Sequence, residues 1–208
     1  MNAHSASSNG ISVIPEPARW ERRPGRFTLT AQTAIVSDAR ARPVARLLRD
    51  LLAPPTGFPL PLKDIADHED ETGAIAIATA TDRAGLGDEG YVLQAAETHL
   101  TVSSSATGGA FYGTQTLRQL LPAEIERRSP VSGAEWSVPC LQIGDAPRFP
   151  WRGFMLDEGR YFIGKGVVKR LLDLMALHKL NVFHWHLTED QGWLLSMFRA
   201  PQGERQAP

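Results

Sequence analysis

Gly153-Phe154-Met155-Leu156-Asp157 and, after a helical stretch, Asn181-Val182-Phe183-His184-Trp185-His186-Leu187 decide the fold. Both runs are short and dense in β-branched, aromatic and aliphatic residues, so they read as strands. Between them Val167, Val168, Leu171, Leu174, Met175 and Ala176 recur at helical spacing, with Lys165, Lys169 and Arg170 on the polar side. Strand, helix and strand over residues 153–187 make one βαβ unit of about 30 residues. The second strand runs parallel to the first, because only a crossover of this length returns the chain in the same direction. One such unit closes no barrel and completes no doubly wound sheet. Parallel strands are normally covered on both faces, and here one helix covers one face. Residues 196–208 are polar and without periodicity. The expectation is a chain that stops inside a domain, with open strand edges that favour aggregation.

Upstream of Asp145-Ala146-Pro147 the pattern is that of a separate small α/β domain, residues 11–143. Residues 11–14 alternate and end at Pro15-Glu16-Pro17, a strand-then-turn signal. Phe27-Thr28-Leu29-Thr30 and Thr33-Ala34-Ile35-Val36 are β-prone. Asp38 is the expected N-cap of a helix through Val44, Leu47, Leu48, Leu51 and Leu52, stopped by Pro54-Pro55. A Pro-rich loop is expected to about Asp64. Residues 74–78 read as a buried strand, and Tyr91-Val92-Leu93 with Leu100-Thr101-Val102 as a hairpin. Gly108-Gly109 opens a helix carrying Phe111, Thr114, Leu117, Leu120 and Leu121 on one face, ended by Pro122. Residues 124–135 read as loop and 138–143 as a further strand. Residues 1–10 read as a disordered tail, 144–193 as the second unit and 194–208 as an irregular tail.

With 208 residues, 42% hydrophobic and 22% charged, the composition is that of a soluble globular protein rather than a disordered one. A net charge of −1 gives no global field for nucleic acid or an anionic membrane, so neither is an expected partner. The single cysteine, Cys140, excludes an intrachain disulfide framework and reads as a small buried residue in preference to a reactive thiol. No apolar run is long enough for a transmembrane helix. Residues 1–10 lack a basic n-region and an apolar h-region, so no signal peptide is visible and the cytoplasm is the default location.

In parallel barrels the chemistry gathers at the C-terminal ends of the strands. The first strand ends in Asp157-Glu158-Gly159-Arg160, the second in Thr188-Glu189-Asp190-Gln191-Gly192-Trp193. Arg160 offers a planar fork of donors suited to adjacent hydroxyls or a carboxylate, and Trp193 offers an aromatic face for a sugar. The competing structural readings pair Arg160 with Asp157 or Glu189 and bury Trp193. His184 and His186 share one strand face and, with Asp190, suggest a metal-dependent barrel hydrolase. That site needs a further ligand, and His4, His68, His99 and His178 are not at another strand end. Histidines hydrogen-bonded within a barrel wall are the blander alternative. Of the remaining carboxylate pairs, Glu69-Asp70 reads as a solvated loop, and Asp88-Glu89, between Gly87 and Gly90, as a turn.

Residues 151–160, Trp151-Arg152-Gly153-Phe154-Met155-Leu156-Asp157-Glu158-Gly159-Arg160, resemble the opening strand of the family 20 glycoside hydrolase catalytic barrel. Residues 178–193, from His178-Lys179-Leu180-Asn181 through Gln191-Gly192-Trp193, resemble its second strand and loop. Asp88-Glu89-Gly90-Tyr91 and Gly109-Ala110-Phe111-Tyr112-Gly113-Thr114-Gln115-Thr116-Leu117 look like the small domain that precedes that barrel. The resemblance covers roughly residues 11–193 and implies a small α+β accessory domain followed by the first strand–helix–strand unit of an incomplete (β/α)8 TIM barrel. It implies a β-N-acetylhexosaminidase that removes terminal β-linked N-acetylglucosamine or N-acetylgalactosamine, from a glycan or chitooligosaccharide, with retention. In that family the substrate's own acetamido oxygen attacks the anomeric carbon, a Glu is general acid, the preceding Asp orients the acetamido group, and no metal or other cofactor is used. By the same resemblance Arg160 grips ring hydroxyls, and Glu189 supports the catalytic residues where many relatives carry Asp. Asp190 is its neighbour in that loop. Tyr161 stands where the family often has His, and residues 194–208 depart from its pattern. The catalytic Asp-Glu pair belongs on a later strand and is absent here, so no catalytic residue is assigned and the isolated chain is expected to be inactive. A non-catalytic remnant or interaction module is the alternative for residues 11–143.

Overall fold

The computed structural model describes residues 10–67, 72–79, 85–160, 163–189 and 192–193. The expected tails therefore lie outside the described residues, apart from Gly10, as do His4, His68, Glu69-Asp70 and Tyr161. The chain divides into two compact units, Met1–Arg148 and Phe149–Pro208.

The first unit is built on one seven-stranded sheet in the order β1-β7-β5-β6-β4-β2-β3. The strands are β1 (Arg19–Thr28), β2 (Ala34–Ser37), β3 (Leu62–Asp64), β4 (Ala74–Thr79), β5 (Tyr91–Ala95), β6 (Leu100–Ser104) and β7 (Ser137–Asp145). β2, β3, β4 and β6 run parallel to one another, while β5 is antiparallel to β6 and β7, and β1 to β7. In β5 and β6 buried and half-buried residues alternate, the period-two signature of a sheet with one dry face. In β2 every residue is buried, and in β4 the first four are, as expected of central parallel strands. Two helices, α1 (Arg42–Thr56) and α2 (Thr107–Leu120), supply Leu48, Leu52 and Leu117 to the core beside Ile35, Ile77 and Leu93.

Several expectations need correction. Residues 11–14 form no strand: the Gln119 side chain takes both ladder groups of Ile14, accepting its N–H at 2.8 Å and donating to its carbonyl at 3.0 Å. The strand that exists there, β1, is almost wholly exposed and reads RWERRPGRFT. Its charges, Pro24 and an irregularity between Arg22 and Arg26 are the devices that protect a sheet edge, and they disguise it as loop. The other edge, β3, lies within the expected Pro-rich loop. Asp38 is not the N-cap of α1; Ala41 occupies that position. The Asp38 carboxylate instead accepts the Ala41 N–H at 2.8 Å and bonds both the N–H and the hydroxyl of Thr79, tying the end of β4 to the start of α1. Pro54-Pro55 do not stop α1. They lie in its last turn, and Gly57 ends it in the left-handed region (φ 70°), its N–H reaching Ala53 O at 2.9 Å. Residues 124–135 contain a single 3-10 turn, Ala123–Glu126 extending into them.

The conspicuous Asp88-Glu89-Gly90-Tyr91 and Gly109 to Leu117 segments are packing devices. Gly109 donates its N–H to Asp88 O at 3.0 Å, and Tyr112 donates its hydroxyl to Glu89 at 3.2 Å. A Cβ on Gly109 would stand 2.1 Å from the carbonyl oxygen of Gly90, so only glycine admits this approach of α2 to the strand entrance. Tyr91 is fully buried; its hydroxyl donates to Asp145 at 2.9 Å and shares a 2.6 Å bond with Thr116. Burial and the Asp145 charge push its phenol well above the ordinary value. Cys140 is buried, 2% exposed, and burial followed by the Glu97 charge pushes its thiol up, which agrees with an inert role.

In the second unit β8 (Gly153–Asp157) pairs in parallel with β9 (Val182–His186), and α3 (Lys165–Leu177) connects them. A two-residue ladder follows between β10 (Thr188–Glu189) and β11 (Gly192–Trp193). Val168 and Met175 of α3 are buried, whereas Trp151 is 72% and Met155 56% exposed. No helix among the described residues is long and apolar enough to cross a membrane.

Two outcomes are expected for the first unit. Gly109→Ala lowers its stability by about 1–3 kcal/mol in denaturant titrations, because a backbone atom opposes the new methyl. Gly144→Ala, where a Cβ meets nothing within 4 Å, stays within about 0.5 kcal/mol. Desolvation would raise the Asp38 pKa, but hydrogen bonds from Thr79, Ala41 and Arg40 outweigh it and hold the carboxyl below its ordinary 3.8. A depressed carboxylate stabilises above its unfolded pKa and loses that contribution as pH falls through the lower folded value. Asp38→Ala therefore costs about 1–2 kcal/mol near neutrality, and the difference from the parent shrinks as thermal melts are taken progressively below pH 3.8.

Candidate functional site

The second unit is tied together at both ends of its strand pair. At the N-terminal end Arg152 and Asn181 exchange backbone and side-chain bonds. Arg152 N–H donates to Asn181 Oδ1 at 3.0 Å, Asn181 N–H donates to Arg152 O at 3.0 Å, and Asn181 Nδ2 donates to Pro150 O at 2.8 Å. The Arg152 guanidinium donates to Lys179 O at 2.6 Å and Phe149 O at 2.7 Å. Lys179, with φ 60°, follows the end of α3 in the left-handed region, and Leu180 N–H reaches back to Met175 O at 2.9 Å. The Trp151-Arg152-Gly153 and His178-Lys179-Leu180-Asn181 stretches thus set where both strands begin, and so their mutual register.

That register places Met155 beside His184, Leu156 beside Trp185 and Asp157 beside His186. His184 and His186 share a face, their ring centroids 6.1 Å apart, and Phe183 and Trp185 share the other, also 6.1 Å apart. Two imidazoles need a third ligand to hold a metal, and among the described residues no group of three His, Cys, Asp or Glu side chains is arranged for one. Asp190 and Gln191 lie outside the described residues. Of Glu189 and Trp193 the backbone is described: Glu189 pairs with Gly192, and Thr188 with Trp193.

At the C-terminal end of β8 the adjacent carboxylates Asp157 and Glu158 part company. Asp157 accepts the N–H groups of Gly159 at 3.1 Å and Arg160 at 3.4 Å, and it pairs with the Arg160 guanidinium. This is one of the two structural pairings considered for Arg160, yet the arginine side chain remains 65% exposed. An exposed pair adds little stability; its effect is to orient the fork. Desolvation would raise the Asp157 pKa, but the Arg160 N–H, the Arg160 charge and guanidinium, and the Gly159 N–H hold the carboxyl below the ordinary 3.8. Glu158, which neither spacing nor composition singled out from its neighbour, is fully buried and bonded to the start of α3 and to Trp185.

An open groove of about 600 Å³ lies in the first unit, lined by Trp20, Glu21, Val92, Gln142 and Asp145 among others. Asp145 there is engaged by Tyr91 and the Ala18 N–H, and the groove contains no nucleophile–base pair, so the strand ends of the second unit remain the candidate site. Asn181→Ala is expected to loosen that unit by about 1–3 kcal/mol, since it leaves the Arg152 N–H and Pro150 carbonyl without these partners. Faster amide exchange in β8 and β9, with the first unit unchanged, is the measurement.

Comparison with known proteins bears on both units. Residues 10–146 match glycosyl hydrolase family 20, domain 2, and residues 149–206 match the catalytic domain of the same family. A β-hexosaminidase of Porphyromonas gingivalis is 38% identical over 93% of this chain and 24% of its own length. A β-N-acetylhexosaminidase of Cellulomonas fimi is 32% identical over 92% of this chain and 37% of its own. Among solved structures, the family 20 β-N-acetylhexosaminidase of Streptomyces coelicolor superposes with a TM-score of 0.79 at 40% identity, covering 87% of this chain and 35% of that one. A Streptomyces plicatus β-hexosaminidase in complex with its product N-acetylglucosamine gives the same TM-score of 0.79 at 39% identity, with 87% and 35% coverage. The chain thus spans about a quarter to a third of the lengths of most of these proteins. With both units matched in sequence order, the chain belongs to glycosyl hydrolase family 20.

Proposed function

We propose that the chain is part of a β-N-acetylhexosaminidase that hydrolyses terminal β-linked N-acetylhexosamine by substrate-assisted, retaining catalysis. In this reading residues 11–143 form the accessory domain and residues 144–193 open the catalytic barrel. The observation that carries it is the placement of Arg160, an exposed guanidinium oriented by Asp157 just beyond the C-terminal end of a parallel strand, where barrels collect their substrate ligands. A fork of N–H donors there suits the vicinal hydroxyls of a pyranose. Glu189 and Asp190, which follow the neighbouring strand in the sequence, are the supporting acids. The S. plicatus relative solved with N-acetylglucosamine and an N,N'-diacetylchitobiase of Vibrio harveyi, 30% identical over 92% of this chain, favour an N-acetylglucosamine-terminated substrate.

The test is a titration of the 208-residue protein with N-acetylglucosamine, followed by the side-chain N–H resonances of its arginines. The Arg160 signal is expected to move saturably, and Arg160→Ala to weaken binding about tenfold or more, the equivalent of one hydrogen bond to a charged group. Arg160→Lys is expected to restore little, since an ammonium cannot replace a planar fork. An Arg160 resonance indifferent to the sugar would count against this assignment.

A further inference from the structure

Glu158 is a carboxylate with 0% exposure, two residues before Arg160. Burying a charge is expensive unless hydrogen bonds replace its water, and here they do. One carboxylate oxygen accepts the N–H groups of Ile163 at 2.9 Å and Gly164 at 3.1 Å, immediately before α3 (Lys165–Leu177). The other accepts the indole N–H of Trp185 at 2.6 Å, on β9. The backbone N–H of Glu158 donates to His186 O at 2.8 Å, extending the β8–β9 ladder by one bond. One residue thus links the end of β8, the entry to α3 and the neighbouring strand. The positive end of the α3 dipole adds a favourable field for its charge. Gly164 allows the turn into the helix, with φ 93°.

The consequence falls on the segment between these attachments. Its N-terminal end is Glu158 itself, and Ile163 and Gly164, at its C-terminal end, are held by the Glu158 side chain. Arg160 lies between these attachments in the sequence. From the other face of β8 Asp157 takes the N–H groups of Gly159 and Arg160 and the Arg160 guanidinium. Successive strand residues point to opposite faces, so the adjacent acids divide the work: Asp157 holds the arginine, and Glu158 holds Ile163 and Gly164.

We propose that Glu158 is a positioning residue, the internal clamp that ties the end of β8 to Ile163 and Gly164 and so sets the Arg160 guanidinium against Asp157. Its bearing on sugar binding rests on the reading of Arg160 given above; the clamp itself does not. A group that only stabilises the unit lowers its melting temperature and leaves the surroundings of Asp157 unchanged while the protein is folded. A clamp changes them, because the Gly159 and Arg160 N–H groups and the guanidinium over Asp157 follow directly on the residue that makes these attachments.

The experiment compares the unsubstituted 208-residue protein with Glu158→Ala, Glu158→Asp and Glu158→Gln. The Asp157 carboxyl carbon is titrated by NMR, and N-acetylglucosamine affinity is measured on the same samples, with circular dichroism recording α3. In Glu158→Ala the Asp157 carboxyl is expected to titrate higher, back toward its ordinary 3.8, and N-acetylglucosamine to bind about tenfold more weakly. Glu158→Gln keeps an acceptor oxygen for Ile163 and Gly164 but turns an NH2 donor toward the Trp185 indole N–H, and is expected to restore part of both readouts. If the alanine variant loses its helix, Glu158→Asp decides: it keeps the charge but is one methylene short of the three donors, so Asp157 is expected to move upward with α3 intact. A folded Glu158→Ala or Glu158→Asp protein in which Asp157 titrates as in the parent overturns the proposal. If the parent itself binds no N-acetylglucosamine, the sugar reading of Arg160 fails alone, and the Asp157 titration still decides the clamp.

Discussion

The parallel pairing of β8 with β9 is the constraint from which the candidate site follows. Two parallel strands cannot be joined by a tight turn, so α3 must intervene, and its length determines how far the chain travels before it returns. The register is held at the strand entrances by Arg152 and Asn181, whose mutual bonds leave little freedom to slip. A shift of one residue would turn His184 and His186 to the face of Phe183 and Trp185 and would separate Asp157 from His186. At the far end this register is what lets Glu158 donate to His186 O and accept from the Trp185 indole.

The first unit applies a different economy. Its mixed sheet keeps β2 and the first four residues of β4 dry on both faces and places strongly charged β1 at one edge. Contact between α2 and the sheet depends on the absence of a side chain at Gly109, and the buried hydroxyl of Tyr91 is satisfied by Asp145 and Thr116. The residues that make this unit recognisable are therefore those with no alternative: glycines where backbones meet, and a tyrosine whose polar end must find partners in the dry interior. The Asp88-Glu89 pair, which superficially offers the two carboxylates a glycosidase needs, belongs to this scaffold through Gly109 and Tyr112.

Much of this was legible in the residues. The strand from Gly153 to Asp157 and the strand through His184 and His186 follow from dense β-branched, aromatic and aliphatic runs, and the helix after Lys165 from hydrophobic period. The family resemblance matched both units. Elsewhere local rules misled where a distant partner intervened. Gln119 holds both ladder groups of Ile14, Asp38 bonds Thr79 as well as the Ala41 N–H while Ala41 takes the cap position, and the charges of β1 protect a sheet edge.

By itself the sequence determined the strand–helix–strand order of the second unit, the order of the two units and the identity of the acids and arginine at the strand ends. Those properties are local, carried by side-chain size, polarity and spacing along the chain. Only the tertiary structure decided the division between Asp157 and Glu158. One acid meets Arg160 at the surface; the other is sealed against Ile163, Gly164 and Trp185, the last of these 27 residues away in the chain. Neighbouring carboxylates look alike in a sequence. They acquire different chemistry when strand alternation sends one to an exposed end and the other into a site where burial forces it to collect hydrogen bonds.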